Sequence, residues 1–190
     1  MKDLHKKYCV EGYDEKGIIN KFDIKCPDNF NFAFDIIDVI GKNEPDRRAM
    51  LWINEEGEEH SFKYSDLMKK SNQVANMLIA HGVKKGDKVL CVLKRHYQFW
   101  FATLALCKIG AVLIPATNQL MTKDFVYRFG AADVKYVIAT AEGEVTAHVE
   151  EAMEQYDKIA ERYIVNGDRE GWVSFDSEMK KYPDTLARIE

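Results

Sequence analysis

The sequence has no apolar run long enough to cross a membrane and no apolar segment typical of a secretory leader. A bilayer span needs about 20 consecutive apolar residues. The longest candidate here, residues 97–115, carries Lys108 and Gly110 in its middle. The first ten residues are mostly polar, whereas a signal peptide requires an apolar stretch at this position. We therefore expect a soluble protein without a secretory leader.

Neither a large excess of one charge nor a paired-cysteine motif is present. The 27 basic and 31 acidic residues give a net charge of −4, and the basic residues are scattered. This pattern excludes the basic patch typical of nucleic-acid binding. Four cysteines occur without a C-x-x-C pair: Cys9, Cys26, Cys91 and Cys107. Because the last two lie in apolar runs, we interpret them as reduced core residues, which favours a reducing compartment, most simply the cytoplasm.

The common signatures of nucleotide, metal and nucleophile sites are also missing. No G-x-G-x-x-G occurs, and the segment 82–88 has neither the spacing nor the Ser or Thr of a phosphate loop. No serine lies in a nucleophile elbow, so we predict no catalytic residue. Five histidines lack the spacing of metal ligands, so we predict no metal site. They are His5, His60, His81, His96 and His148.

Short apolar runs alternate with segments of helical periodicity from residue 89 onward. Such runs are typical of strands that are buried on both faces of a sheet. Strands alternating with helices of about 10–13 residues predict a doubly wound, mostly parallel α/β sheet flanked by helices. The predicted strands are 89–93, 111–114, 135–140 and 162–165, and the predicted helices are 97–109, 122–131 and 145–156.

The first part of the chain has a different organisation. Residues 1–28 are polar and weakly periodic, and we interpret them as an irregular N-terminal arm before one domain at 29–190. Helices are predicted from an Asn29 cap to Gly41 and from Ser65 to about His81. The segments 48–54 and 59–63 flank turn residues and predict a β-hairpin. Helix caps are further predicted at Thr122 and Gly110, and a last short polar helix from Ser177.

Two loops are candidates for ligand binding because they follow predicted strands. Open α/β sheets bind ligands beyond the carboxyl ends of their strands. The stretch Lys94-Arg95-His96-Tyr97 follows the first of these strands, where basic side chains favour an anionic ligand, with a solvated loop as the alternative. Thr117, Asn118 and Gln119 follow the next strand, where they would hold their own loop or bind a ligand.

The order of the segments resembles that of acyl-adenylate-forming enzymes. Within that superfamily, the stretch from Pro115 to Asp124 and the Tyr127-Arg-Phe129 triplet are most similar to medium-chain acyl-CoA synthetases. A helix that stops at Gly110 before a strand ending in Pro115 is a further landmark. The remaining segments that carry the resemblance are 62–67, 75–78, 83–89 and the aromatic pair Phe99-Trp100.

The resemblance implies an ATP-dependent ligase that uses Mg²⁺ and CoA and acts on a carboxylic acid, first forming an acyl-adenylate. It places Gln119 at a CoA contact. Thr117 and Arg95 are further cofactor-binding candidates because of their positions in the two loops described above. Lys94 departs from the family, which often has proline there. The family's Ser/Thr/Gly-rich phosphate loop is not found in these 190 residues.

We therefore expect an incomplete N-terminal domain of an adenylate-forming enzyme that is inactive alone, binds none of these cofactors tightly and tends to self-associate. The alternative is a stand-alone α/β binding or interaction module without catalysis. A receiver-type phosphoacceptor domain would need an aspartate where Lys94 follows the strand.

Overall fold

The computed structural model describes residues 3–188, which form an α/β protein. The strands are β1 (Cys9–Tyr13), β2 (Ile19–Ile24), β3 (Arg48–Ile53), β4 (Glu59–Lys63), β5 (Lys88–Val92), β6 (Val112–Pro115), β7 (Val134–Thr140), β8 (Glu161–Val165) and β9 (Val173–Ser174). The α-helices are α1 (Val39–Asn43), α2 (Tyr64–Ala80), α3 (Gln98–Ile109), α4 (Thr122–Ala132), α5 (Val145–Met153) and α6 (Phe175–Met179). A 3-10 turn at Leu4–Lys7 precedes β1, and a π-helical turn at Ala33–Asp38 precedes α1.

The central sheet is parallel throughout, with the strand order β6-β5-β7-β8-β9. Strand β5 lies between its two neighbours, so that Val89 pairs with Leu113 on one side and with Tyr136 on the other. The chain runs from β5 outward to β6, then returns across β5 to β7. This order confirms the parallel sheet predicted from the short apolar runs.

Helices cover both faces of the sheet, which confirms the doubly wound architecture. Alternate side chains of β5 belong to different core layers, because successive residues of a strand point to opposite faces. Val89 and Cys91 pack with α2, α3 and α6, whereas Leu90 and Val92 pack with α4 and α5. Both layers are built from fully buried aliphatic and aromatic side chains. Among residues 3–188, no helix combines the length and apolar character that a membrane crossing requires.

The predicted hairpin is present and packs beside the sheet. β3 and β4 pair antiparallel, and the turn between them is closed by the Glu58 N–H, which donates to Oδ1 of Asn54 at 2.7 Å. Gly57 has a φ of +81° in this turn, a conformation that favours glycine. Helix α3 ends at Gly110, whose φ of +70° confirms the predicted glycine stop.

The interpretation of the N-terminal segment as irregular is wrong for residues 9–24. Residues 9–24 form a second antiparallel hairpin, with Cys9 opposite Ile24. Its turn is held by Asp14, whose Oδ1 accepts hydrogen bonds from the N–H groups of Lys16 and Ile18. Lysine and aspartate side chains between the apolar ones conceal the alternation in this segment. Met1 and Lys2 of the predicted arm lie outside the described residues, and the division at residue 28 stays a prediction.

The predicted helix caps need two corrections. Asn31, not Asn29, caps the turn before α1, because its Oδ1 accepts hydrogen bonds from the N–H groups of Ala33 and Phe34 at 3.1 and 3.2 Å. At α4, Asp124 accepts from the Met121 N–H at 3.0 Å, while the Thr122 hydroxyl bonds to α5. In both cases, several polar residues near the helix start compete for the same donors.

The last helices also differ from the prediction. α5 ends at Met153 rather than at residue 156, and α6 begins at Phe175 instead of Ser177. Phe175 and Met179 are buried against the sheet. The apolar contacts of α6 therefore fix where it starts, and its polar sequence does not reveal them.

Candidate functional site

The chain connections define a switch point at the carboxyl edge of the sheet. From β5 one connection leads to β6 on one side, and the next leads to β7 on the other side. The loops that follow β5 and β7 therefore diverge and leave a crevice between them. In open α/β sheets, ligands bind in the crevice at this position.

A cavity of about 390 Å³ lies at this edge. The residues after β5 line it together with the end of the β3–β4 hairpin and the loops after β7 and β8. The side chains that matter for its chemistry are Trp52, Lys94, Arg95, His96, Glu142 and Asn166. The cavity is therefore built from four separate parts of the chain, all of which meet at the predicted ligand-binding edge.

The two basic side chains of the cavity differ in their partners. Lys94 Nζ donates to Oε2 of Glu142 at 3.1 Å, and this contact raises the pKa of Lys94. Arg95 is exposed, and its guanidinium has no carboxylate partner among residues 3–188. The backbone carbonyl of Arg95 accepts a hydrogen bond from Trp52 Nε1 at 2.5 Å. The hydrogen bond from Trp52 thus holds the backbone of Arg95, while the guanidinium remains free to bind an anion.

His96 is buried next to these exposed cations, with 6% of its surface accessible. Its Nδ1 lies 3.0 Å from Asn166 Nδ2, and its Nε2 lies 2.8 Å from Thr140 Oγ1. Because the Asn166 amide nitrogen is a donor, Nδ1 accepts and the proton belongs on Nε2, which donates to Thr140. Burial lowers the pKa of His96, although Glu142 at 3.6 Å opposes this effect. The imidazole is therefore neutral near pH 7.

Sequence reasoning placed His96 in a candidate loop without giving it a role of its own, and it did not select Thr140, Glu142 or Asn166. The available signal was position, since each of them ends a strand of the parallel sheet or lies in the loop after one. Asn166 also has a φ of +61°, which a sequence alone does not reveal. Their mutual contacts depend on the strand order, and a single sequence does not supply it.

The second predicted loop follows β6 on the same edge but outside the cavity. Thr117 Oγ1 accepts a hydrogen bond from the Gln119 N–H at 3.3 Å, and Leu120 is buried beneath the loop. The Gln119 side chain is exposed and has no hydrogen-bond partner within residues 3–188. Thr117 therefore shapes this loop, while the Gln119 amide remains available. Asn118 is likewise exposed.

The remaining polar groups of the described chain do not form a metal centre, and the buried Cys91 is not a reactive thiol. Within residues 3–188, no group of three or more His, Cys, Asp or Glu side chains is arranged to hold a metal ion. The four cysteines are free, and burial raises the pKa of Cys91 to about 12. Cys91 is therefore an inert core thiol.

The fold and this edge define a parallel α/β protein with a crevice at its switch point, the position at which such folds bind ligands. Residues 38–187 match the model of the AMP-binding enzyme family, and the chain belongs to that family. The resemblance to acyl-adenylate-forming enzymes read from the sequence is confirmed.

Curated relatives extend well beyond the matched segment. Acyl-coenzyme A synthetase ACSM5 of Rattus norvegicus is 35% identical over 156 residues, which cover 78% of this chain and 27% of the relative. Acyl-coenzyme A synthetase ACSM3 of Homo sapiens is 33% identical over 172 residues, covering 86% of this chain and 29% of the relative. The chain thus spans less than a third of the length of these relatives.

Solved structures share the fold. The acyl-CoA synthetase of Brucella canis superimposes with a TM-score of 0.73 at 20% identity, covering 87% of this chain and 30% of that protein. The anthranilate CoA ligase AuaEII, in complex with anthranoyl-AMP, gives a TM-score of 0.72 at 19% identity. The superposition covers 86% of this chain and 30% of that protein. At this level of identity, the likeness concerns the fold alone.

The prediction of a cytoplasmic location is wrong. The matched acyl-coenzyme A synthetases of both species are described as mitochondrial. Free cysteines indicate a reducing compartment, but they do not distinguish one reducing compartment from another.

Proposed function

We propose that this chain forms part of an ATP-dependent acid–thiol ligase that activates a carboxylic acid and transfers the acyl group to CoA. The observation that carries the proposal is the match of residues 38–187 to the AMP-binding enzyme family. The two curated relatives named above are acyl-coenzyme A synthetases and support a fatty acid as the substrate. The similarity of residues 115–129 to medium-chain acyl-CoA synthetases favours a fatty acid of medium chain length.

The reaction has two steps in this proposal. A carboxylate oxygen attacks the α-phosphorus of ATP, forming the acyl-adenylate and releasing pyrophosphate. The sulfur of CoA then attacks the acyl carbon, the bond to the AMP oxygen breaks, and the thiol proton is released. Mg²⁺ would accompany ATP and neutralise phosphate charge.

The residues of this chain fit CoA better than they fit ATP. The Gln119 amide is exposed and unpaired among residues 3–188, as required for hydrogen bonding to the amides of the pantetheine arm. The Arg95 guanidinium has no carboxylate partner there and is suited to a phosphate of CoA. Thr117 would hold the loop that presents Gln119.

The ATP site has no counterpart among these residues. The sequence lacks a Ser/Thr/Gly-rich phosphate loop followed by lysine. We therefore assign no step of the adenylation to a residue of this chain. Its role in the proposal is to bind and orient CoA at the carboxyl edge of the sheet.

We also propose that the chain self-associates through the β1–β2 hairpin. Ile24 and Phe22 of β2 are 67% and 53% exposed, and Tyr13 of β1 is 55% exposed. A strand pair with apolar side chains in solvent favours association with a second apolar surface.

The reading frame beyond codon 190 tests the proposed function. We expect it to continue into the phosphate loop, and the product of that frame should release pyrophosphate from ATP in the presence of octanoate. A stop codon directly after codon 190 would contradict the ligase assignment and favour the binding module. In the 190-residue chain, added CoA should shift the amide resonances of Arg95 and Gln119.

A further inference from the structure

Three consecutive residues of the loop after β5, Lys94 to His96, are each anchored to a different part of the chain. Lys94 pairs with Glu142 in the loop after β7, at 3.1 Å. The Arg95 carbonyl accepts from Trp52 at the end of the β3–β4 hairpin. His96 contacts the end of β7 and the loop after β8. The loop is therefore fixed at three points, and the Arg95 guanidinium extends from it without a carboxylate partner among residues 3–188.

His96 is the buried member of this set. Lys94 and Glu142 are both exposed, so their ion pair is screened by water and contributes little. The imidazole of His96, in contrast, is 6% exposed and uses both ring nitrogens. Thr140 Oγ1 accepts from Nε2–H and also from the Glu142 N–H at 3.1 Å, so the same hydroxyl ties two loops together.

We propose that His96 is a positioning residue whose doubly hydrogen-bonded imidazole holds the loop after β5 so that Arg95 stays at the mouth of the cavity. The proposal rests on the proposed binding of CoA at this edge. In this proposal, His96 itself does not contact CoA. Its contribution is to fix the backbone of Arg95 before CoA arrives, which reduces the entropy lost on binding.

Trp52 provides a direct measurement of the loop position, because its indole N–H donates to the Arg95 carbonyl. In the full 190-residue chain, His96→Ala should move the Trp52 indole ¹H–¹⁵N resonance toward the position of a free indole. The Trp172 indole donates to Glu150 at 2.8 Å, away from the cavity, and its resonance should not move. His96→Gln should recover part of the Trp52 shift, because its amide can donate to Thr140.

His81 supplies a matched control for general destabilisation. It also uses both ring nitrogens, with Tyr163 Oη at 3.1 Å and Tyr182 Oη at 3.2 Å, but it precedes β5 and lies away from the cavity. His81→Ala should leave the Trp52 resonance unchanged. Titration with CoA should give a dissociation constant several-fold higher for His96→Ala than for the unchanged chain and the His81→Ala variant.

The outcomes separate the two proposals. An unchanged Trp52 resonance in folded His96→Ala, or an equal shift in His81→Ala, would overturn the positioning role. Absence of any CoA-induced shift in the unchanged chain would instead contradict CoA binding at this edge, while the Trp52 resonance still tests His96. If His96→Ala does not fold, Thr140→Val removes one of the two hydrogen bonds and should move the Trp52 resonance in the same direction.

Discussion

The ammonium nitrogen of Lys108 lies 2.8 Å from Oδ1 of Asp38, and both side chains are buried beneath the helices on one face of the sheet. Lys108 also donates to Ser71 Oγ at 2.9 Å and to Asn72 Oδ1 at 2.6 Å. Burial raises the pKa of Asp38 and lowers that of Lys108, and the ion pair opposes both shifts. This cluster joins α3, α2 and the turn before α1.

Removing one partner of this pair should destabilise the protein strongly. Lys108→Met leaves the Asp38 carboxylate buried without its cation, which costs about 3–5 kcal/mol of unfolding free energy. The double variant Lys108→Met with Asp38→Leu should recover much of the loss, since no buried charge remains. Urea unfolding of the single and double variants measures both values. If the double variant lost as much unfolding free energy as the two single variants together, the two side chains would not be coupled.

The stability of the protein should fall as the pH drops below about 6.5, the pKa of an unperturbed histidine. Because burial lowers the pKa of His96 in the folded state, the unfolded chain binds its proton at a higher pH. The stabilisation is therefore fully present above the unfolded pKa and is lost as the pH falls toward the folded pKa. Glu142 and Asp176 oppose this effect electrostatically, whereas Lys94 adds to it.

Unfolding free energies at pH 7.5, 6.5 and 5.5 test this expectation. The variant His96→Gln keeps a donor for Thr140 but does not titrate, so its stability should depend less on pH over the same range. If the unfolding free energy changed with pH equally in the unchanged chain and in His96→Gln, His96 would contribute nothing to the pH dependence.

The isolated 190-residue chain should not form acyl-adenylate. Adenylation requires positioned donors and a metal ion at the phosphates, and the sequence has no phosphate loop. Purified protein with ATP, Mg²⁺ and octanoate should release pyrophosphate no faster than a buffer blank. Release above the blank that persists through a second purification step would contradict this prediction.

The exposed hairpin should make the chain associate as its concentration rises. Ile24→Lys places a charge among the exposed apolar side chains of the hairpin and should shift the sedimentation profile toward monomer. Tyr127→Lys is the matched control, because Tyr127 is 72% exposed on α4, away from the hairpin. A monomer at every concentration in the unchanged chain, or equal effects of both substitutions, would exclude the hairpin as the contact.

The sequence predicts the sheet well and the cavity poorly, for physical reasons. Strand β5 is recognisable because burial on both faces makes it almost wholly apolar, and Gly110 marks a helix end because its backbone adopts positive φ. The partnership of His96 with Asn166 joins residues 70 positions apart and depends on strand order. The β1–β2 hairpin was missed because every residue of β2 is exposed, so no run of buried apolar residues marks the strand.

Gln119 should contribute to CoA binding in a full-length enzyme that carries this segment. Its amide is exposed and unpaired among residues 3–188, whereas the fold of its loop depends on Thr117 and Leu120. Gln119→Ala should therefore raise the KM for CoA several-fold, through the loss of one hydrogen bond of about 0.5–1.5 kcal/mol, and leave ATP–pyrophosphate exchange nearly unchanged. The adjacent, exposed Asn118 provides the matched control, and Asn118→Ala should change neither value.

Measuring thioester formation and ATP–pyrophosphate exchange side by side separates ligand binding from loop structure. A contact with CoA affects the second step alone, because CoA takes no part in adenylation. Damage to the loop would instead lower the Tm and weaken both steps together. Equal losses in the two assays, accompanied by a lower Tm, would therefore assign Gln119 a structural role and remove it from the CoA site.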